Sequence, residues 1–238
     1  MGLANTEPRR SRRWLAWLLA AFLVALAGYH AWVFAQVWHL RKHNPETTAF
    51  MRSGLERLQE SNPRARLSHR WVRYRQISLN LKRAVIAAED QRFLDHDGFD
   101  LDAIQEAYEK NARAGRIRRG ASTISQQLAK NLFLSPLRTY LRKADEVVIT
   151  LMLEGALSKR RILEIYLNVI EWGDGIYGAE AAAQHYYGKS AADLDPEEAA
   201  RLAAMIPRPR FYARNPTTPY LERRTDILLD QMEHVRVP

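Results

Sequence analysis

Residues 138–157, Arg-Thr-Tyr-Leu-Arg-Lys-Ala-Asp-Glu-Val-Val-Ile-Thr-Leu-Met-Leu-Glu-Gly-Ala-Leu, give the clearest indication of the fold. Their apolar side chains recur at helical spacing. One face of the resulting helix carries Val148, Leu151, Met152 and Gly155. The stretch therefore predicts a long helix with these four residues on one face.

Helix signals also dominate on both sides of this stretch. Thr123 and Gln126 have the spacing of a capping box, Ser158 precedes another helical run, and Asp195 followed by Pro196 is a typical helix start. The other predicted helices cover 81–90, 100–113, 123–133, 158–170, a short run ending at 188, 196–206 and the residues after 219. Residues 71–77 are compatible with a short strand, but that strand would be isolated. The predicted fold class is therefore all-α.

Composition excludes several classes of protein. Of 238 residues, 47% are hydrophobic and 26% charged, which excludes a disordered chain and a transporter with many spans. The net charge is +9, but residues 1–42 hold six basic residues against Glu7 alone. This uneven distribution argues against nucleic acid as a partner. The absence of cysteine excludes disulfides, thiolate metal ligands and a cysteine nucleophile.

An apolar run near the N-terminus predicts a membrane anchor. Residues 14–38 contain no Asp, Glu, Lys or Arg and, as a helix, exceed a hydrocarbon core of about 30 Å. The arginines before them place residues 1–13 in the cytoplasm and the rest of the chain on the exported side. The alternative is a cleaved signal peptide, because Ala25-Leu26-Ala27 resembles a cleavage site. We expect a membrane-proximal linker at 39–70 and the main domain at 71–238.

The first candidate site residue is Glu89, at the end of the predicted helix 81–90. On a helix it shares a face with Val85 and Ile86, and apolar neighbours raise the pKa of a carboxyl group. A raised pKa suits a general base or acid near neutral pH. The alternative is a solvated carboxylate at a helix end.

His96, seven residues after Glu89, is interpreted as a hydrogen-bonded structural residue.

The second candidate is the segment 120–131, where a glycine turn leads into a helix that carries Gln127 and Lys130. Hydroxyls, amides and backbone N–H groups at a helix start suit an anionic or sugar ligand. The alternative is ordinary helix capping together with a solvated basic loop, since Arg116, Arg118 and Arg119 precede the segment. A fourth cluster, residues 159–189, is rich in aromatic residues and glycine and is interpreted mostly as scaffold.

The third candidate lies on the long helix. Arg138, Arg142 and Glu146 follow one another at four-residue spacing, with Lys143 adjacent. Three cations beside one carboxylate suit a phosphate group together with a divalent ion. The alternative is a surface ion pair of little energetic consequence.

In their order along the chain, these clusters resemble the bacterial peptidoglycan glycosyltransferases, especially the monofunctional biosynthetic transglycosylases. Residues 197–204, Glu-Glu-Ala-Ala-Arg-Leu-Ala-Ala, and Pro207 extend the match, which covers roughly 70–215 and the anchor. One departure is Ser125, where the family commonly has Thr, but the hydroxyl is kept. The chain contains neither Ser-x-x-Lys nor Lys-Thr-Gly, which mark the penicillin-binding transpeptidase domain of bifunctional relatives.

The resemblance implies a lysozyme-like helical domain with a smaller membrane-associated jaw lobe, preceded by one transmembrane helix. It also implies polymerisation of lipid II into linear β-1,4 glycan strands, with inversion and release of undecaprenyl pyrophosphate. The expected location is the inner membrane, with the catalytic domain on the periplasmic side. The expected partners are lipid II, the growing glycan chain, the membrane and other proteins of cell-wall synthesis or division.

By the same resemblance, Glu89 is the general base that deprotonates the acceptor 4-hydroxyl, and Glu146 lies near the donor's pyrophosphate. The residues that match the substrate-binding set are Gln127, Lys130, Arg138, Arg142 and Lys143. A divalent cation, Mg²⁺ or Mn²⁺, is expected near Glu146, and no organic cofactor is expected. Two other classes stay open at this point: a lytic enzyme that cleaves glycan, and a non-enzymatic partner of wall synthesis.

Overall fold

The computed structural model describes residues 8–114, 122–136 and 139–238. Its helices are α1 (Pro8–His39), α2 (Ala49–Ser61), α3 (Leu79–Glu89), α4 (Leu101–Ala114), α5 (Ile124–Phe133), α6 (Tyr140–Ala156), α7 (Lys159–Val169), α8 (Ala179–Tyr187), α9 (Pro196–Met205), α10 (Pro209–Arg214) and α11 (Pro219–Met232). Three short strands accompany them: β1 (Ser68–His69), β2 (Glu171–Gly173) and β3 (Ile176–Tyr177). Over the described residues the all-α prediction is confirmed.

Side-chain caps explain why α5, α7 and α9 begin where the sequence predicts, whereas α3 begins at Leu79, two residues before its predicted start. Thr123 accepts a hydrogen bond from the backbone N–H of Gln126, whose side chain binds the Thr123 backbone in return. Ser158 caps α7 and Asp195 caps α9 through the same three-residue spacing. Because each cap joins neighbours in the chain, tertiary structure is not needed to locate it.

The prediction of a strand at 71–77 is wrong. Tyr74–Gln76 form a turn of 3₁₀-helix, and the buried side chain of Asn168 binds the backbone of Val72 in both directions. Asn168 Oδ1 accepts from the Val72 N–H at 2.9 Å, and Nδ2 donates to the Val72 carbonyl at 3.0 Å. These are the groups that a strand would offer to a neighbouring strand, so one side chain replaces that partner.

A small sheet forms instead around the glycine-rich segment. β1 pairs in parallel with β3, which pairs antiparallel with β2. The turn between β2 and β3 contains Gly175 at φ +76°. Gly178, at φ +84°, lets the chain pass against α7, because a Cβ there would lie 2.6 Å from the Asn168 carbonyl oxygen. The glycines of this segment thus serve the packing of the sheet.

Two groups of packed helices hold the site residues. α3 lies against α9 and α11, and α5 lies against α6 and α7. Phe93, Tyr166 and Trp172 are among the largest side chains with no exposed surface. Since Glu89 ends α3 and Gln127 is part of α5, each is carried by a helix that is packed against two others.

Helix α1 combines a long exposed apolar part with a packed end. Arg13–His39 is long and apolar enough to cross a membrane, and little of its most apolar window is buried. Val33 and Val37 of α1 are fully buried, and α1 packs against α6. Beyond the end of α1, the Arg161 side chain donates to the Leu40 carbonyl at 2.9 Å. The C-terminal end of α1 is therefore attached to the rest of the chain.

Two other helices expose apolar side chains. On α4, Leu101 and Tyr108 are more than two-thirds exposed. On α6, Tyr140 and Leu141 are almost fully exposed and Leu151 is about half exposed. Neither surface is covered by the rest of the described chain, although each is apolar enough to favour a non-aqueous neighbour.

Candidate active site

The Glu89 carboxylate lies at the last residue of α3, where the helix emerges from the core. Val85 and Ile86, one turn earlier, are buried, and Glu89 itself is half-buried. Burial raises its pKa above the ordinary value, as the sequence predicts. A hydrogen bond from Gln127 and the charges of Arg224 and Lys130 act in the opposite direction but do not cancel the effect.

Gln127 connects Glu89 to a buried tyrosine. Its Nε2 donates to Glu89 Oε2 at 2.6 Å, and its Oε1 accepts from the Tyr166 hydroxyl at 2.9 Å. Tyr166 has no exposed surface, and burial raises its pKa well above the ordinary value, so the phenol remains a donor. A phenol that donates to Oε1 leaves the NH₂ end of the amide facing the carboxylate. Tyr166 therefore defines the orientation of Gln127.

Asp90 and His96 hold the neighbouring backbone. Asp90 Oδ2 accepts from the Ile124 N–H at the start of α5 at 3.0 Å, and its Oδ1 lies 2.9 Å from His96 Nε2. The Gly98 N–H donates to His96 Nδ1 at 3.1 Å, which makes Nδ1 an acceptor and places the proton on Nε2. His96 is thus a hydrogen-bonded structural residue, as predicted from the sequence, and it ties Asp90 to the chain after α3.

Lys130 interacts electrostatically with both acidic residues singled out from the sequence, Glu89 and Glu146. Its Nζ is 5.7 Å from the centre of the Phe50 ring. Burial lowers its pKa, while the charges of Glu146 and Glu89 act to raise it. This half-buried ammonium is therefore in the electric field of both carboxylates.

Glu146 is a buried carboxylate whose two oxygens are each held by a cation. Arg142 Nη1 donates to Oε2 at 3.0 Å, and Lys143 Nζ donates to Oε1. The Glu146 side chain is 4% exposed, that of Arg142 17% and that of Lys143 51%. These values contradict the surface-pair interpretation, because the carboxylate is withdrawn from water and depends on its partners. The guanidinium Nε of Arg142 is buried and has no hydrogen-bond partner.

The structure thus brings Glu89, Gln127 and Lys130 together and connects them through Lys130 to the group on α6. Arg138 lies outside the described residues. Tyr166 and Arg224 were missed as candidates from the sequence. Tyr166 falls in the segment interpreted as scaffold, and nothing in the sequence around Arg224 distinguishes it from the preceding Arg223.

A divalent cation near Glu146 can be tested against the donor set. Both oxygens of this carboxylate are engaged by cations, and Lys130 adds a third positive charge nearby. Within the described ranges no group of three His, Cys, Asp or Glu residues is close enough to hold a metal. These residues do not fit a cation held by protein ligands, which would need several oxygen donors free of ion pairs. The metal stays a prediction, and no chemical step is assigned to it.

A cleft of about 590 Å³ opens beside Glu89. It is lined by the end of α3, by α4, by the residues before α5, and by Arg224 and Gln231 of α11. Gln231 Oε1 is buried there with no hydrogen-bond partner. The lining is largely polar and carries both signs of charge. Glu89 is thus reached from solvent through a polar cleft.

The helical domain, with a raised-pKa carboxylate at the edge of a polar cleft, is consistent with the lysozyme-like fold that the sequence resemblance implies. The sequence model of the family described as Transglycosylase matches residues 56–233, three-quarters of the chain. The chain belongs to the Transglycosylase family.

Three relatives extend this match to nearly the whole chain. Each is named "Biosynthetic peptidoglycan transglycosylase". The protein of Nitrosospira multiformis is 55% identical over 227 residues, covering 95% of this chain and 99% of the relative. That of Azoarcus sp. strain BH72 is 58% identical over 226 residues, covering 95% and 97%. That of Herminiimonas arsenicoxydans is 54% identical over 227 residues, covering 95% and 98%.

Proposed function

We propose that this protein is a monofunctional peptidoglycan glycosyltransferase that polymerises lipid II into linear β-1,4 glycan strands and releases undecaprenyl pyrophosphate. Family membership and the names of the relatives support the general activity. The observation that carries the proposal is the Glu89 carboxylate. It is half-buried, its pKa is raised, and the amide of Gln127 holds it at the edge of a polar cleft.

Glu89 acts as the general base. The 4-hydroxyl of the acceptor sugar is a weak nucleophile, and a carboxylate of raised pKa is a stronger base than an ordinary one. The hydroxyl proton passes to Glu89 while the oxygen forms a bond to C1 of the donor sugar. The bond from C1 to the phosphate oxygen breaks on the opposite side, which inverts the configuration. The electron pair of that bond leaves with the pyrophosphate.

The cations around Glu146 stabilise the leaving group. Negative charge grows on the pyrophosphate as the bond breaks, and pre-positioned cations stabilise that charge at little reorganisation cost. Glu146 orients Arg142 and Lys143 by binding one nitrogen of each, which leaves their other N–H groups for the phosphates. Lys130 and Gln127 complete the substrate-binding set, and Arg138 belongs to it by sequence resemblance.

The membrane supplies the substrate. Lipid II is confined to the bilayer by its polyprenyl tail, so an anchored domain meets it at high effective concentration. We propose that α1 spans the inner membrane with the catalytic domain on the periplasmic side. The apolar side chains exposed on α4 and α6 then contact lipid, as expected of a membrane-associated jaw lobe.

The test is polymerisation of labelled lipid II by the purified full chain in detergent, with products resolved on a gel. We expect a ladder of glycan strands, and Glu89→Gln should lower the rate by about 10²–10⁴-fold. Glu56→Gln, at an exposed position on α2, is the matched control and should retain the wild-type rate. A Glu89→Gln variant with more than a tenth of the wild-type rate would refute the assignment. Cleavage of polymeric glycan without polymerisation would identify a lytic enzyme instead.

A further inference from the structure

The C-terminal helix contacts the backbone that carries Glu89. Arg224 of α11 donates from Nη2 to the carbonyl oxygen of Ala88 at 3.2 Å. Ala88 precedes Glu89 in the last turn of α3, where carbonyls have no partner within the helix. A guanidinium at this position satisfies one of them and places a positive charge at the negative end of the helix dipole.

The same side chain lines the cleft that opens beside Glu89. Arg224 and Gln231 are seven residues, or about two helical turns, apart on α11 and both face this cleft. Arg223, the preceding residue, is exposed and lies outside the cleft lining. Of two adjacent arginines, therefore, only Arg224 is directed toward the site.

We propose that Arg224 is a positioning residue for the transfer reaction, which holds the end of α3 and keeps a fixed cation beside the Glu89 carboxylate. The inference rests on the proposed function, in which Glu89 is the base. Holding the end of α3 needs only the hydrogen bond to Ala88. The electrostatic role follows from the charge of Arg224, because a cation near Glu89 favours its ionised form, the form that accepts a proton.

The charged and titratable groups around Glu89 determine what the loss of Arg224 would do. Lys130 faces it from α5, Tyr166 from α7, Arg224 from α11, and Asp90 follows it in the chain. The two cations favour the carboxylate, whereas Asp90 disfavours it. Removing one of the two cations should raise the pKa of Glu89 further, so that less of the base is ionised at a given pH.

The experiment is a profile of kcat against pH for the full chain with lipid II in detergent. We expect Arg224→Gln to move the acid limb of the profile to higher pH, with a rate roughly tenfold lower on that limb. Arg224→Lys keeps the charge and should keep the limb near its wild-type position. Arg223→Gln, the control with the same change in charge on the same helix, should match the wild type.

Thermal unfolding of each variant separates positioning from folding. If the acid limb of the Arg224→Gln profile lies at the same pH as in the wild type, the inference is overturned, whether kcat falls uniformly or is unchanged. If Arg224→Gln does not fold, Arg224→Lys tests the inference instead. An acid limb displaced in Arg224→Lys, although the positive charge is retained, would overturn the inference. A wild-type chain that makes no polymer would refute the proposed function itself, an outcome distinct from an unshifted limb in active variants.

Discussion

The hydroxyl of Tyr166 donates to Oε1 of Gln127 at 2.9 Å, and this contact decides which end of the amide faces Glu89. With Oε1 occupied by a donor, Nε2 is directed at the carboxylate. A reversed amide would set its oxygen against the carboxylate and its NH₂ group against a phenol that cannot then donate. A buried residue of the scaffold thereby controls the base.

Tyr166→Phe should lower the polymerisation rate by about tenfold while the fold is kept. The variant loses the donor that orients Gln127, but it retains the ring that packs in the core. Buried hydrogen bonds contribute about 0.5–1.5 kcal/mol, so the loss of Tm should be a few degrees. Tyr186→Phe removes a hydroxyl that donates to the Trp172 carbonyl at 2.8 Å and serves as the control. Equal rates for both variants would contradict the role of Tyr166.

Glu89→Gln should stabilise the protein at neutral pH although it removes the base. The raised pKa means that the folded state binds more protons than the unfolded state between the ordinary value of 4.5 and the raised one. Stability therefore falls as the pH rises through this window, and a neutral amide avoids that loss. We therefore expect Glu89→Gln to have a higher Tm than the wild type at pH 7–8.

Differential scanning calorimetry from pH 4 to pH 8 checks this expectation. The difference in Tm between Glu89→Gln and the wild type should decrease as the pH is lowered toward 4.5. Glu56→Gln, on the exposed side of α2, should show no comparable trend. A variant less stable than the wild type at pH 8 would indicate that burial does not penalise the Glu89 charge.

Arg142→Ala and Lys143→Ala should differ in stability, although both should slow turnover. Arg142 is mostly buried, and its removal leaves the buried Glu146 carboxylate without one of its partners. Breaking a buried pair costs about 3–5 kcal/mol, whereas a half-exposed partner such as Lys143 contributes about 1 kcal/mol or less. Denaturant titration measures the difference in the free energy of unfolding between the two variants. The KM for lipid II measures the loss of donor binding. Wild-type kinetics in both variants would exclude the cluster from the site.

Deletion of residues 1–40 should give a soluble or weakly adherent protein that polymerises lipid II in detergent but more slowly on vesicles. The deletion leaves Glu89 and Glu146 in place, but it removes Val33 and Val37, which are fully buried residues of the helix that packs against α6. We therefore also expect a Tm lower by several degrees than that of the full chain in detergent. Equal rates on vesicles would show that the anchor is dispensable, and no activity in detergent would show that α1 forms part of the site.

Prediction from sequence succeeded where the determining contacts are local. The caps at Thr123, Ser158 and Asp195 join residues three apart, and the apolar periodicity of a helix is visible within two turns. The strand prediction at 71–77 failed because the partner of the Val72 backbone is the side chain of Asn168, 96 residues further along the chain. The strands that do form, β1 and β3, contain two residues each. A strand of two residues is too short to show an alternation of apolar and polar side chains, so the pairing of β1 with β3 is visible only in the folded structure.

The sequence by itself determined the all-α class, most helix starts, the apolar run of α1 and, through family resemblance, the choice of Glu89, Gln127, Lys130 and Glu146. Only the tertiary structure decided how Glu89 is controlled. Tyr166 of α7 acts on Glu89 through Gln127, and Arg224 of α11 binds the carbonyl of the preceding Ala88. The pKa of Glu89 depends on its burial, on the hydrogen bond from Gln127 and on the charges of Arg224 and Lys130, which lie on other helices. Neither the depth of a carboxylate nor its distance from a guanidinium is a property of the residues next to it in the chain.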